Sequence, residues 1–271
     1  MLRKLYPGGK AKAFNISYDD GVTQDVPFVA MLNRYGIKGT FNINSQLMEQ
    51  EFQWQHESGL WIRRLPTYAA RELYAGHEIA SHSVSHPYMQ GLSENEILYQ
   101  LGHDKWQLSQ LLGREISGFA LPFDYYSPQI ADCAQRLGFE YSRCSEERYS
   151  YAPPEDYYNW AAGSYHVNPR FYDFASGFFC TDEELALCQI VGHSYDLDTM
   201  NMWGLMEDLF WHVADCDDIA CMTNIELVRY LKAMRAADIG ENYIRNNSSL
   251  SLWFELDGEV LEIKPYVEYY R

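Results

Sequence analysis

The sequence predicts an α/β fold, a distorted (β/α) barrel of about seven strands followed by a C-terminal β-hairpin. Three observations predict it. The chain opens as strand, helix, strand, with two adjacent acids at the carboxyl end of the first strand. In all it carries six or seven βα units, without internal repeats. The tail changes character, with Ser251–Glu255 and Val260–Ile263 flanking an Asp257-Gly258 turn. At 271 residues and 47% hydrophobic, the chain can bury one sizeable core, and it reads as a single domain over residues 1–271 with the hairpin at about 245–271.

Taken in order, residues 11–18 read as the first strand, with Asp19, Asp20 and Gly21 at its end. Asp25 has the form of an N-cap for a helix over 26–35 that Gly36 closes. Residues 38–44 give the second strand, so the acid pair sits where parallel α/β architectures build their sites. Residues 46–68, aromatic and irregular, read as an insertion over that face. A helix near 68–74 leads to a third strand over 77–81 and then to His82 and His86, an i, i+4 pair that shares a face if the segment is helical. Ser93 and Glu96 form a capping box that opens a helix with Ile97, Leu101, Leu108 and Leu112 at helical spacing, ended by Gly113. Residues 116–121 make the fourth strand, Pro122-Phe123-Asp124 a turn, 128–137 a helix, and 139–144 the fifth strand. Residues 145–176 show no period and read as a lid or binding surface. A buried strand over 187–192 ends at His193, followed by helices over 203–214 and 225–237 and a strand over 219–223.

Composition excludes some functions. A net charge of −17 argues against nucleic acid or anionic lipid as partner. No run approaches a membrane span, no signal-peptide core is visible at the start, and the six cysteines show no C-x-x-C spacing. The expectation is a cytoplasmic protein with free thiols. Twenty-two tyrosines and seven tryptophans suit either a core shared with the surface or a groove for sugar rings.

Two adjacent carboxylates repel, so a folded chain keeps Asp19 and Asp20 together only where something offsets their charge. Carboxylates with imidazoles suit a divalent ion such as zinc, manganese or cobalt. The order S-Y-D-D-G, H-S-V-S-H, A-L-P-F-D and I-V-G-H, over roughly residues 11–235, resembles the polysaccharide deacetylases of carbohydrate esterase family 4. The resemblance implies a metal site of Asp20, His82 and His86, a general base at Asp19, a general acid at His193, and an oxyanion-binding N–H at Phe123. It implies a divalent metal, zinc first with cobalt, nickel or manganese as alternatives, and an N-acetylated saccharide substrate.

One position departs from the family. The arginine that usually holds the base is replaced by Ala120, and Arg143, at the end of the next strand, is the residue expected to reach Asp19 instead. The aspartate that usually partners the catalytic histidine has no evident counterpart; His166 and Asn168 are candidates for the site. Trp160, Tyr165 and Phe123 form either a sugar-stacking surface or a hydrophobic cluster. His77 reads as structural, and His56, His103 and His212 as solvated. Three functions remain in view: an N-deacetylase of oligo- or polysaccharide, an amidase on a small cyclic or linear amide, and a metal- or glycan-binding protein without turnover.

Overall fold

A computed structural model describes residues 2–270. The first half runs β1 Leu2–Leu5, β2 Lys12–Asp19, α1 Asp25–Arg34, β3 Thr40–Ile43, α2 Ser45–Glu49, β4 Gln53–Gln55, β5 Trp61–Arg63, α3 Thr67–Leu73 and β6 Glu78–Ser81. Next come α4 Glu94–Leu112, β7 Gly118–Ala120, a single 3-10 turn Pro122–Asp124, α5 Pro128–Arg136, β8 Tyr141–Glu147, β9 Trp160–Ala162 and β10 Ser164–Tyr165. The chain continues through α6 Phe171–Cys180, β11 Ala186–Gly192, α7 Ser194–Thr199, α8 Trp203–Asp215, β12 Ile219–Cys221 and α9 Asn224–Arg235. It ends in β13 Asp238–Ile239, β14 Tyr243–Arg245, β15 Leu252–Leu256, β16 Glu259–Ile263 and β17 Glu268–Tyr270.

The parallel strands run β11-β2-β3-β6-β7-β8-β9, and β10 pairs with β11. Only Gly163 separates β9 from β10, so residues 160–165 act as one stave that pairs β8 on one side and β11 on the other. This closes a seven-stave barrel. A Cβ at Gly163 would lie 2.5 Å from the Gln189 carbonyl and 2.7 Å from the Phe174 ring, so the closing stave needs a glycine at its crossover. β12 pairs only with the start of β2, below β3 on the same edge.

Alternation along β2 sorts its side chains. Phe14, Ile16 and Tyr18 pack outward into the layer shared with the helices, while Ala13, Asn15, Ser17 and Asp19 take the alternate face, toward the barrel interior. Ala13, Tyr141, Trp160, Leu187 and Met222 close the lower interior against α9. Above them the interior is polar: Gln189 donates to Asn15 at 3.2 Å, and Asn42 and Asn224 both donate to Ser17. That polar throat opens at the carboxyl ends of the strands.

The capping box at Ser93–Glu96 and the left-handed Gly113 bound α4 as the sequence predicts. Asp257 and Gly258, at φ 51° and 89°, form the predicted hairpin turn. β1 adds antiparallel to that hairpin, and β13, β14 and β17 make a second small sheet. The stretch read as aperiodic, 145–176, instead holds the closing stave and the start of α6. Its two strands are too short to show alternation. Asp25 is not a cap but the buried first residue of α1, accepting from the Tyr74 and Ser194 hydroxyls at 2.5 Å each. All six cysteines are free, and no helix among the described residues is long and apolar enough to cross a membrane.

Candidate metal and catalytic site

β2 delivers both acids to the barrel mouth and sends them in different directions. Asp19, the last strand residue, turns inward. Asp20 leaves the strand with φ 86°, followed by Gly21 at 63°. Gly21 is required here, since a Cβ would also meet Ile43 at 2.8 Å.

Asp19 is buried and held on one oxygen by two donors. Asn42 Nδ2 donates at 2.7 Å, and the buried Arg143 guanidinium forms a hydrogen-bonded ion pair with the same Oδ1. The guanidinium expected to replace the missing arginine does reach the acid. Burial pushes the Asp19 carboxyl up, but the charge of Arg143, followed by those of His82 and His193, holds it below the usual range.

Asp20 meets a different set. Arg64 Nη1 lies 2.8 Å from its Oδ1 and also donates to its main-chain carbonyl. His86 Nε2 is 4.0 Å from Oδ1, and His193 Nε2 is 3.9 Å from Oδ2. Burial opposes ionisation, but Arg64 first and the histidines after it keep the carboxyl well below the usual range.

The two loop histidines converge without a helix. Residues 82–87 form an irregular turn with Ser83 and His86 left-handed, at φ 69° and 54°. Ser83 Oγ accepts from the His86 N–H at 3.1 Å, and Asn44 Nδ2 donates to the carbonyls of His82 and Ser83. Below, Asp104 accepts from Ser81 Oγ at 2.6 Å and Ser45 N at 2.8 Å, anchoring the loop to α4. His82 Nδ1 faces the Ala120 carbonyl at 2.9 Å, so Nδ1 carries the proton and Nε2 keeps its lone pair. Burial lowers the His82 pKa to about 4 and lowers that of His86 as well, leaving both neutral at neutral pH. Ligand atoms of Asp20, His82 and His86 lie within 4.8 Å of one another. One carboxylate and two neutral imidazoles, with their tautomer fixed, fit a zinc-type divalent ion and leave coordination positions open.

His193 caps α7, with its Nε2 facing Asp20. Its Nδ1 is 3.2 Å from Asp196 Oδ2 and 2.7 Å from the Tyr165 hydroxyl, which itself donates to Asp196 at 2.7 Å. Burial lowers its pKa, but the Asp196 hydrogen bond and the charges of Asp20, Asp196 and Asp19 raise it to about 9. Asp196 is thus the partner that the sequence reading missed, although its place three residues after the histidine was a usable signal.

Phe123 sits in the 3-10 turn at φ 52°, a strained conformation for an aromatic residue. Its ring is 51% exposed, stacks on Tyr88 at 4.4 Å and meets His86 edge-on at 4.6 Å. On the far side Tyr195 stacks on His193 at 4.8 Å, and Trp54 of the β4–β5 hairpin meets Tyr195 at 5.6 Å. The insertion thus reaches the site.

Trp160 does not. It is 2% exposed inside the barrel, with its ring 5.7 Å from that of Tyr141, so the substrate-binding expectation for it is corrected: its neighbours claim its apolar faces. Asn168 donates to Glu147 at 2.6 Å, away from the acids. His166 is buried, stacked on Tyr18, with Nε2 3.8 Å from Asp196. His77 bridges Gly39 and Asn33 as a structural residue. Arg64, Asn42, Tyr88 and Tyr195 were not legible as site residues. Arg64 comes from the irregular insertion, and Asn42 depends on strand register.

The polysaccharide deacetylase family model matches residues 7–142, a span that holds Asp19, Asp20, His82, His86 and Phe123 and leaves out His193. The uncharacterized Bacillus subtilis (strain 168) protein YlxY is 27% identical over 133 residues. That segment is 48% of this chain and 37% of the relative, so the chain spans little more than a third of the curated protein it matches. A candidate polysaccharide deacetylase from Mycobacterium smegmatis superposes with a TM-score of 0.61 at 13% identity, covering 86% of this chain and 94% of that one. The wild-type BA3943 protein of Bacillus anthracis, a family 4 pseudoenzyme, gives a TM-score of 0.53 at 13% identity over 83% of this chain and 68% of that one. At such identities these likenesses show the fold alone.

Proposed function

The chain belongs to the polysaccharide deacetylase family, and from that premise we propose a metal-dependent hydrolase that removes N-acetyl groups from an amino-sugar-containing oligo- or polysaccharide. One observation supports this above the others. The candidate metal triad Asp20, His82 and His86 adjoins Asp19, ion-paired with Arg143, and His193, whose Nε2 is 3.9 Å from Asp20 Oδ2 and whose Nδ1 is 3.2 Å from Asp196.

When bound, a divalent ion (zinc first, with cobalt, nickel or manganese as alternatives) would polarise the amide carbonyl and make water a nucleophile at neutral pH. The chain's own residues do the rest. Asp19 accepts the proton of the attacking water, oriented by Arg143 and Asn42. The Phe123 main-chain N–H, held in its left-handed turn, donates to the oxygen on which charge develops. His193, with Nδ1 committed to Asp196 and Tyr165, presents Nε2–H and gives that proton to the departing amine. The exposed Phe123–Tyr88 stack leaves one flank open to a chain of sugar rings, which favours a saccharide over a small amide enclosed on all sides.

A binding-only reading has a specific motive, since a pseudoenzyme shares the fold. It is disfavoured here because an acid and a base flank the triad together. Acetate release from N-acetylated oligosaccharides and small acetamides, with zinc or cobalt and then with chelator, tests the proposal. Metal-dependent release that Asp19→Asn abolishes without loss of metal is expected. Bound metal with no acetate from any substrate would sink it.

A further inference from the structure

Each acid of the site already has its own guanidinium. Arg143 serves Asp19, and Arg64 serves Asp20 on Oδ1, the same oxygen that faces His86. We propose that Arg64 is a built-in counter-cation that competes with the divalent ion for Asp20, so that the site holds its metal weakly and exchanges it readily. This rests on the metal-site reading of Asp20, His82 and His86.

The position of Arg64 is fixed from several directions. Its backbone forms an antiparallel bridge with Val22, Leu65 N–H donates to the Gly21 carbonyl at 2.8 Å, and Thr23 N–H donates to the Arg63 carbonyl at 2.9 Å. The segment after β5 is thus sewn to the segment directly after Asp20. Its own N–H donates to the Phe52 carbonyl at 2.8 Å, and its guanidinium lies 5.3 Å from the Trp54 ring centre. The side chain is 5% exposed, so water does little to screen its charge from Asp20.

A cation held there acts on a metal in two opposed ways. It fixes the carboxylate rotamer, which helps a ligand set, and it repels a second, doubly charged cation that needs the same oxygen. The first effect is the ordering of one short side chain. The second is a charge–charge term across a few ångströms in a buried site, and it is the larger. The metal-free protein keeps Asp20 paired, so an empty site carries no lone buried carboxylate. The occupied site gives up part of that pairing.

The test measures metal affinity directly. Metal-stripped wild type, Arg64→Gln and Arg64→Lys are titrated with Co²⁺, read by its visible absorption, and with Zn²⁺ against a chromophoric chelator. Arg64→Gln, neutral and shorter, should bind at least ~10-fold more tightly than wild type, and the charge-keeping Arg64→Lys should stay within about 3-fold of it. Loss of a merely structural contact would not tighten metal binding. Equal or weaker binding by Arg64→Gln overturns the proposal, as does equal tightening by Arg64→Lys. Binding by Arg64→Gln where wild type shows none would support it in its strongest form. Folded wild type and Arg64→Gln that both ignore metal would defeat the metal-site reading and this inference with it. Wild type that binds with the same constant as Arg64→Gln would defeat this inference alone. Should Arg64→Gln fail to fold, Trp54→Ala removes the ring that backs the guanidinium. It should tighten binding about 3-fold, and unchanged affinity counts against the proposal.

Discussion

Asp196 and Arg143 act on the two ends of the proposed proton transfer, and each can be read in a pH profile. Asp196 is the first group that raises the His193 pKa, so Asp196→Asn should lower it. The acid form is then lost earlier as pH rises, and the alkaline limb of kcat/KM moves to lower pH, with kcat down roughly 100-fold. Arg143→Ala removes the main influence that holds Asp19 low and leaves the burial that pushes it up. The acid limb should therefore move to higher pH, with kcat/KM down roughly 100-fold at neutral pH. Profiles that keep both limbs in place would show these partners to be structural only. The residues proposed to react could be named in the sequence because chemistry restricts them to few types in short motifs. The residues that position them were legible only where spacing helped. Arg143 could be expected from the alanine at position 120, whereas Arg64 and Asn42 reach the acids through pairings that no local pattern announces.

Among the elements, helices and long strands were readable and the short connecting pieces were not. β2 and β11 carry unbroken buried runs, and α4 carries a cap, a period and a stop. β9 and β10, three and two residues long, carry no period, and their identity comes from the edges they fill. The His82–His86 loop shows the same limit. A spacing that suggests a helix face is realised by two left-handed residues and by the side chains of Asn44, just after β3, and Asp104 of α4. Asp25 ties elements together in a way that can be measured. One buried carboxyl joins α1 to Tyr74 after α3 and to Ser194 of α7, and burial, the largest influence on it, raises its pKa to about 7. The folded state then holds a proton that the unfolded state releases near the ordinary aspartate value. Its contribution to stability is full below that value and is lost as pH rises to about 7. Asp25→Asn should flatten the fall across that window, by an amount on the order of a few kcal/mol at most, in denaturant titrations at several pH values. A slope equal to wild type would show that Asp25 titrates normally.

For the whole molecule, the count of βα units gave the barrel, but not how it is finished at either end. Leu2–Leu5 of β1 pair with Trp253–Leu256 of β15, and Tyr230 OH donates to the Leu5 carbonyl at 2.6 Å, so β1 and the C-terminal hairpin share one small sheet. Removing residues 2–5 should lower Tm by several degrees and expose residues 250–270 to protease, while Co²⁺ binding at Asp20, His82 and His86 persists. Loss of metal binding on that deletion would mean that the end sheet and the site are coupled. The closing stave has a consequence in time. Asn15 and Gln189, hydrogen-bonded neighbours on β2 and β11, are 174 positions apart, and His193 lies just beyond. Such long-range pairing is slow to form. During synthesis Asp20, His82 and His86, the candidate metal ligands, emerge well before His193 and β11, the strand that pairs along β2. Until β11 is made, the edge of β2 that it pairs with stays open to neighbouring chains.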